Sequence, residues 1–213
     1  LYVNKEEGFI GTALRKDEYI ADCSDIDDVI VFLRDGSMIV SKIEEKKFVG
    51  KDIIHAAVFN KNDKRTIYNM IYRDGKAGAS FVKRFNVSGI TRDKVYDLTQ
   101  EKPGSQVLYF SSNPNGEAEV VTILLRQLTN VKKLKFDLDF ADLLIKGSVS
   151  KGNTVTKYPI KKIELKEKGI STLRPRKVWF DDTVHRLNVD GRGELLGEFK
   201  PEDRLLIITQ SGK

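Results

Sequence analysis

Glycine-bearing turn signals recur along this chain at nearly even steps, and that recurrence limits the possible folds more than any other feature. Gly36, Gly75, Gly116, Gly152 and Gly193 are separated by 39, 41, 36 and 41 residues. Short apolar runs lead into these turns. Asp27–Leu33 and Thr66–Tyr72 both run into Arg-Asp-Gly, Gln106–Phe110 into Asn-Pro-Asn-Gly, and Leu143–Ile145 towards Ser-Lys-Gly-Asn. Val184–Asn188 runs into Val-Asp-Gly-Arg-Gly and Leu205–Ile208 into Gln-Ser-Gly. Glycine and asparagine supply the positive φ that tight hairpin turns demand, so each site reads as a hairpin. Four short strands with their turns occupy about 40 residues, which makes this period the signature of an array of β-blades.

The residues after each glycine read as second strands of the hairpins. Met38–Ile43, Ser80–Phe85, Ala118–Ile123 and Thr154–Ile160 alternate apolar with polar or basic residues, a pattern that places Lys and Arg on a solvent face. Glu44–Asp52, Asn86–Asp97 and Lys161–Lys177 read as charged connectors. The only helical reading is a short turn over Ile160–Lys168, stopped by Gly169 and Pro175. No Pro/Ser/Gly-rich linker divides the chain, so residues 1–213 are expected to form one all-β domain. The start, Leu-Tyr-Val-Asn-Lys, reads as a strand and not as a signal peptide, and the chain is read as a fragment of a longer subunit.

The residues carry little that suggests catalysis. The two histidines, His55 and His185, and the lone Cys23 have no metal-ligand spacing. Cys23 sits among Asp22, Asp25, Asp27 and Asp28, whose charges disfavour a thiolate, and a single cysteine fits a reducing cytoplasm. His55, in Ile53–Val58, reads as a core or interface histidine. Gly191-Arg-Gly193 reads as a hairpin tip and not a phosphate loop, and no Gly-x-Ser-x-Gly element is present. Asp137 and Asp139 alternate along a strand, where a solvated face is the plainer reading and a cation site the sharper one. No catalytic residue, metal or cofactor is expected.

Charge is distributed unevenly. Residues 1–30 hold three basic and eight acidic residues, whereas 131–177 hold thirteen basic and five acidic, within a chain of net charge +6. Such asymmetry points to a polyanion for one sector.

The repeated pattern seen in Asp28-Val-Ile-Val-Phe-Leu-Arg-Asp-Gly36 and Asp203-Arg-Leu-Leu-Ile-Ile-Thr-Gln-Ser-Gly212, together with Ala79–Val87, resembles the blade strands of the C-terminal domain of type IIA topoisomerase A subunits, gyrase and topoisomerase IV. The resemblance covers nearly the whole chain. It implies a β-pinwheel of five or six four-stranded blades that exchange strands, with DNA bent around a basic rim. Gyrase subunits carry a Gln-Arg-Arg-Gly-Gly-x-Gly box in the first blade's connector. Here Lys46-Lys-Phe-Val-Gly-Lys-Asp52 has bases and a glycine but not the box, so the sequence looks more like topoisomerase IV.

The resemblance implies a non-catalytic domain that binds and bends duplex DNA. Its partners would be DNA, the remainder of its own A subunit, plus the ATPase B subunit, in a cytoplasmic, nucleoid-associated enzyme; the isolated domain would be a monomer with no membrane contact. The expected DNA contacts are Lys83, Arg84, Lys132, Lys133, Lys135, Lys157, Lys161, Lys162, Arg174, Arg176 and Lys177. Two rival readings belong to other classes. A protein-scaffolding propeller would show Trp-Asp blade signatures, but the one tryptophan, Trp179, precedes Phe180. A propeller enzyme would need a polar central cleft.

Overall fold

The computed structural model describes residues 1–61, 63–129, 131–200 and 203–208. Its regular structure is almost wholly β. The one helical element among the described residues is a 3-10 turn, Phe140–Asp142, whose first N–H groups are met by the Asp139 carboxylate accepting from the Ala141 N–H.

Among the described residues the strands come in five groups along the chain. The first holds β1 (Tyr2–Asn4), β2 (Phe9–Gly11) and β3 (Glu18–Tyr19). The second holds β4 (Asp28–Leu33), β5 (Ser37–Lys42), β6 (Lys47–Phe48) and β7 (Ile53–Phe59). The third holds β8 (Ile67–Arg73), β9 (Ser80–Asn86), β10 (Val95–Asp97) and β11 (Gln106–Asn113). The fourth holds β12 (Val120–Leu125), β13 (Lys135–Asp139), β14 (Ile145–Gly147), β15 (Asn153–Thr156) and β16 (Ile160–Glu167). The fifth holds β17 (Arg176–Asp181), β18 (Arg186–Asn188) and β19 (Glu194–Phe199).

One rule connects these groups into sheets. The first strand of a group lies between its hairpin partner and the last strand of the same group: β4 between β5 and β7, β12 between β13 and β16, β17 between β18 and β19. The strand in between leaves for the preceding blade and pairs there with the second hairpin strand. Thus β6 joins β2, β10 joins β5, and β14 and β15 both join β9, the first of them in parallel. Among the described residues the resulting sheets have four, four, five, three and three strands. The fold is a β-pinwheel: consecutive blades, of which the first three each borrow from the next among the described residues.

The glycines have a more varied role than the turn pattern implied. Gly36 and Gly75 lie in the β4–β5 and β8–β9 hairpins, as expected. Gly116 lies instead in the crossover from β11 to β12, which belong to different sheets; Gly152 enters β15, and Gly193 precedes β19. The β12–β13 hairpin has no glycine, and the β17–β18 turn uses His185 at φ 49°. Positive φ is what glycine reports, and crossovers require it as hairpins do. The blades begin at Tyr2, Asp28, Ile67, Val120 and Arg176, so successive steps are 26, 39, 53 and 56 residues, lengthening where the glycine spacing is even.

Other segments are corrected with it. Ala118–Ile123 leads into the central strand β12, and Thr154–Ile160 begins in the exchanged strand β15. Ile160–Lys168 is strand, not helix, and the three connectors contain β6, β10 and most of β16. Residues 203–208 of the last expected hairpin carry no strand, and its turn at Gly212 lies outside the described residues.

Among the described residues the core consists of three apolar layers between neighbouring blades. Val3, Ile10, Val29, Val31 and Ile53 fill the first interface. Ile30, Phe32, Met38, Tyr68, Met70, Tyr72, Phe81 and Phe85 fill the second. Ile71, Val82, Val121, Ile123 and Phe140 fill the third. β4 therefore buries both faces, alternating Val29, Val31 and Leu33 towards the first blade with Ile30 and Phe32 towards the third, which is why it reads as a continuous apolar run.

Candidate nucleic-acid interface

Blade stacking decides which basic side chains reach solvent. Lys83 and Arg84 do not: only 3% and 1% of their surface is exposed, against the solvent face expected for their strand. β9 lies between two apolar layers. The register places Lys83 opposite Met70, towards the second blade, and Arg84 opposite Asn69, towards the fourth. Lys83 Nζ donates to the carbonyls of Leu98 (2.5 Å), Ser148 (2.5 Å) and Ser150 (3.0 Å), and lies 5.0 Å from the Phe85 ring centroid. Burial lowers its pKa to about 8. Arg84 donates to Asn69 Oδ1 (3.1 Å) and to the carbonyls of Gly116 (3.1 Å) and Glu117 (3.4 Å), fastening the β11–β12 crossover. These two cations hold backbone carbonyls and have no surface to offer a phosphate.

The other nine expected contacts, Lys132, Lys133, Lys135, Lys157, Lys161, Lys162, Arg174, Arg176 and Lys177, are exposed. The structure divides them between two ends of the blades. Register places Ile160 opposite Leu125, at the hairpin end of β12, and Glu167 opposite Val120, at the crossover end. Lys157, Lys161 and Lys162 therefore share the hairpin end of the fourth blade with Lys135, and with Lys132 and Lys133 in the β12–β13 loop. Arg174, Arg176 and Lys177 lie at the opposite end, where the 170–172 backbone is hydrogen-bonded to Gly116 and Ala118 and Arg65 Nη1 donates to the Arg174 carbonyl (3.1 Å). Eight residues of β16 separate the ends by about 25 Å.

Carboxylates quench part of this charge. Lys162 pairs with Glu164 at 2.5 Å, and Lys177 approaches Glu198 at 3.9 Å. Lys166 and Thr122 both donate to Asp137, Lys166 the more strongly, and hold its carboxyl below the usual range. The alternating Asp137 and Asp139 are thus engaged by side chain and backbone. Among the described residues no group of three His, Cys, Asp or Glu side chains is placed to hold a metal. Lys132, Lys133, Lys135, Lys157, Lys161, Arg174 and Arg176 have no ion-pair partner among the described residues.

Two further exposed bases, Lys76 in the β8–β9 hairpin and Arg126 after β12, lie at the hairpin end beside Lys157. Each is isolated in sequence, so no charge run announces it. At the other extreme, the acidic stretch Asp22–Asp28 forms the β3–β4 crossover, where Asp28 is engaged by Arg92 at 2.7 Å. No helix among the described residues is long and apolar enough to cross a membrane.

Comparison with known proteins points to one family. A family model described as the topoisomerase C-terminal domain of Bacteroidota matches residues 1–168 and 186–213. The A subunit of DNA topoisomerase 4 from Borreliella burgdorferi is 31% identical over 167 residues, which cover 78% of this chain and 25% of that protein. The chain thus spans about a quarter of the length of this curated relative. No solved structure matches.

Proposed function

Because the chain belongs to the topoisomerase C-terminal domain family, from the A subunit of a bacterial type IIA topoisomerase, we propose that it holds and bends duplex DNA for ATP-dependent strand passage carried out by the rest of the enzyme. The observation that carries the reading is the cluster of exposed bases at the hairpin end of the fourth blade. Lys132, Lys133, Lys135, Lys157 and Lys161 gather there without a carboxylate partner among the described residues. Exposed lysines neutralise phosphates and release counterions, giving affinity with little base readout. In this reading the bend comes from contacts on successive blades, whose binding energy offsets the cost of deforming the duplex.

In this reading the domain contributes no catalytic group. Its partners are DNA, the rest of its own A subunit, plus the ATPase B subunit, within a cytoplasmic, nucleoid-associated topoisomerase IV; by itself it is a monomer. The test is binding to random-sequence duplex DNA across a salt series. For about five neutralised phosphates, log K should fall against log salt with a slope of roughly −4 to −5. A flat dependence, or affinity confined to one sequence, overturns the proposal.

A further inference from the structure

The seam between the third and fourth blades contains a groove of about 220 Å³ bordered by four basic side chains from three separate segments. Arg73 and Lys76 come from the β8–β9 hairpin, Arg126 from the loop just after β12, and Lys157 from the β15–β16 turn. No Asp or Glu is among the residues lining it. The carboxylate on the same hairpin, Asp74, is 2% exposed and engaged by Lys102 at 2.7 Å. Arg73 is fixed in place, donating to the carbonyls of Gly75 (2.9 Å) and Gly104 (3.5 Å) and to Gln106 Oε1 (3.3 Å). The other three cations are exposed, and none has an ion-pair partner among the described residues.

We infer that this groove is a binding site for a phosphodiester of the duplex backbone, held by Lys76, Arg126 and Lys157 over a floor that Arg73 keeps rigid. The inference rests on the DNA-binding reading above and deepens it. Unneutralised like charges drawn around one concavity repel one another, and an anion of matching size relieves that repulsion. A guanidinium and two ammonium groups supply the multiple donors that phosphate oxygens accept. The groove also opens at the hairpin end, beside Lys161 and Lys162, so a backbone that crosses the fourth blade continues into it. It extends the contact surface onto the third blade, which buried Lys83 and Arg84 cannot do.

The test compares Lys76→Glu/Arg126→Glu with Arg15→Glu/Lys16→Glu on the first blade, using random-sequence duplex DNA at matched ionic strength. All four side chains are exposed, and a melting curve for each variant checks the fold. The groove variant should bind about tenfold or more weakly, and its salt slope should be shallower by about 2, because two phosphate contacts are lost. The milder Lys76→Gln/Arg126→Gln should shift both quantities in the same direction by less. The first-blade variant should bind as wild type does. If wild type shows salt-dependent binding and the groove variants match it, the groove inference falls and the DNA-binding reading stands. If wild type shows no salt-dependent binding, both fall.

Discussion

At the scale of single residues, Lys83 and His55 show how burial changes what a polar side chain does. Lys83 spends its three N–H donors on three carbonyls from two blades, so its charge fastens an exchanged segment. Lys83→Met keeps the aliphatic stem but strands those carbonyls, and should lower stability in urea by about 2–4 kcal/mol. The affinity of the folded variant for DNA should be unchanged; weaker binding at unaltered stability would assign Lys83 to the DNA surface instead. His55 lies among Phe32, Tyr68 and Phe110, and its Nε2 is buried without a hydrogen-bond partner. Burial, helped by the charge of Lys5, lowers its pKa from 6.5 to about 4. The unfolded chain therefore binds more protons between those values, so stability is full above pH 6.5 and declines as pH falls towards 4. The loss should be on the order of 2–3 kcal/mol. Unfolding midpoints at pH 7 and pH 4.5 measure it; His55→Phe should remove that component of the pH dependence.

At the scale of elements, the exchanged strands are the joints of the molecule, and they tolerate little added volume. Gly152 enters β15 at φ 84°, and a Cβ there would meet the Val82 carbonyl oxygen at 2.2 Å and Lys83 Cβ at 2.9 Å. Gly152→Ala must displace β15 from β9, at a cost of about 1–3 kcal/mol from the backbone conformation alone. Thermal melting should show the loss, and amide exchange should rise first in β15 and in its partner residues Ser80–Val82. Uniform loss of protection would mean that the exchange strand is not a separable joint. By contrast, β13 and β18 receive no exchanged strand among the described residues. Lys135 and Asp137 put charge along the β13 edge, which discourages pairing with another chain.

At the scale of the whole molecule, the proposed function raises the question of which end of the blades would carry DNA. The exposed bases near Leu125 form one cluster and those around Arg174–Lys177 another, separated by the length of a strand. Lys161→Glu/Lys162→Glu should weaken duplex binding about tenfold, and less at high salt, where the screening length falls from ~8–10 Å at 0.1–0.15 M to ~3 Å at 1 M. The Lys162–Glu164 pair lowers what Lys162 contributes. Arg174→Glu/Lys177→Glu at the crossover end should change affinity several-fold less. Equal losses in the two variants would show that the duplex contacts both ends.

The sequence by itself determined the fold class and the family. Alternating short apolar runs with Gly and Asn turns have few solutions other than antiparallel blades, and the both-faces-buried strand Val29–Leu33 is visible as unbroken hydrophobicity. It also located the exposed bases of the fourth blade, because a run of lysines has nowhere else to go. Tertiary structure alone decided which glycines turn hairpins and which cross between sheets, since positive φ serves both. It alone decided that Lys83 and Arg84 face inward, because whether the second face of a strand is solvated depends on what stacks against the sheet. It alone gathered Lys76, Arg126 and Lys157 around one seam. Strand exchange brings together residues far apart in sequence, and local pattern carries no record of that distance.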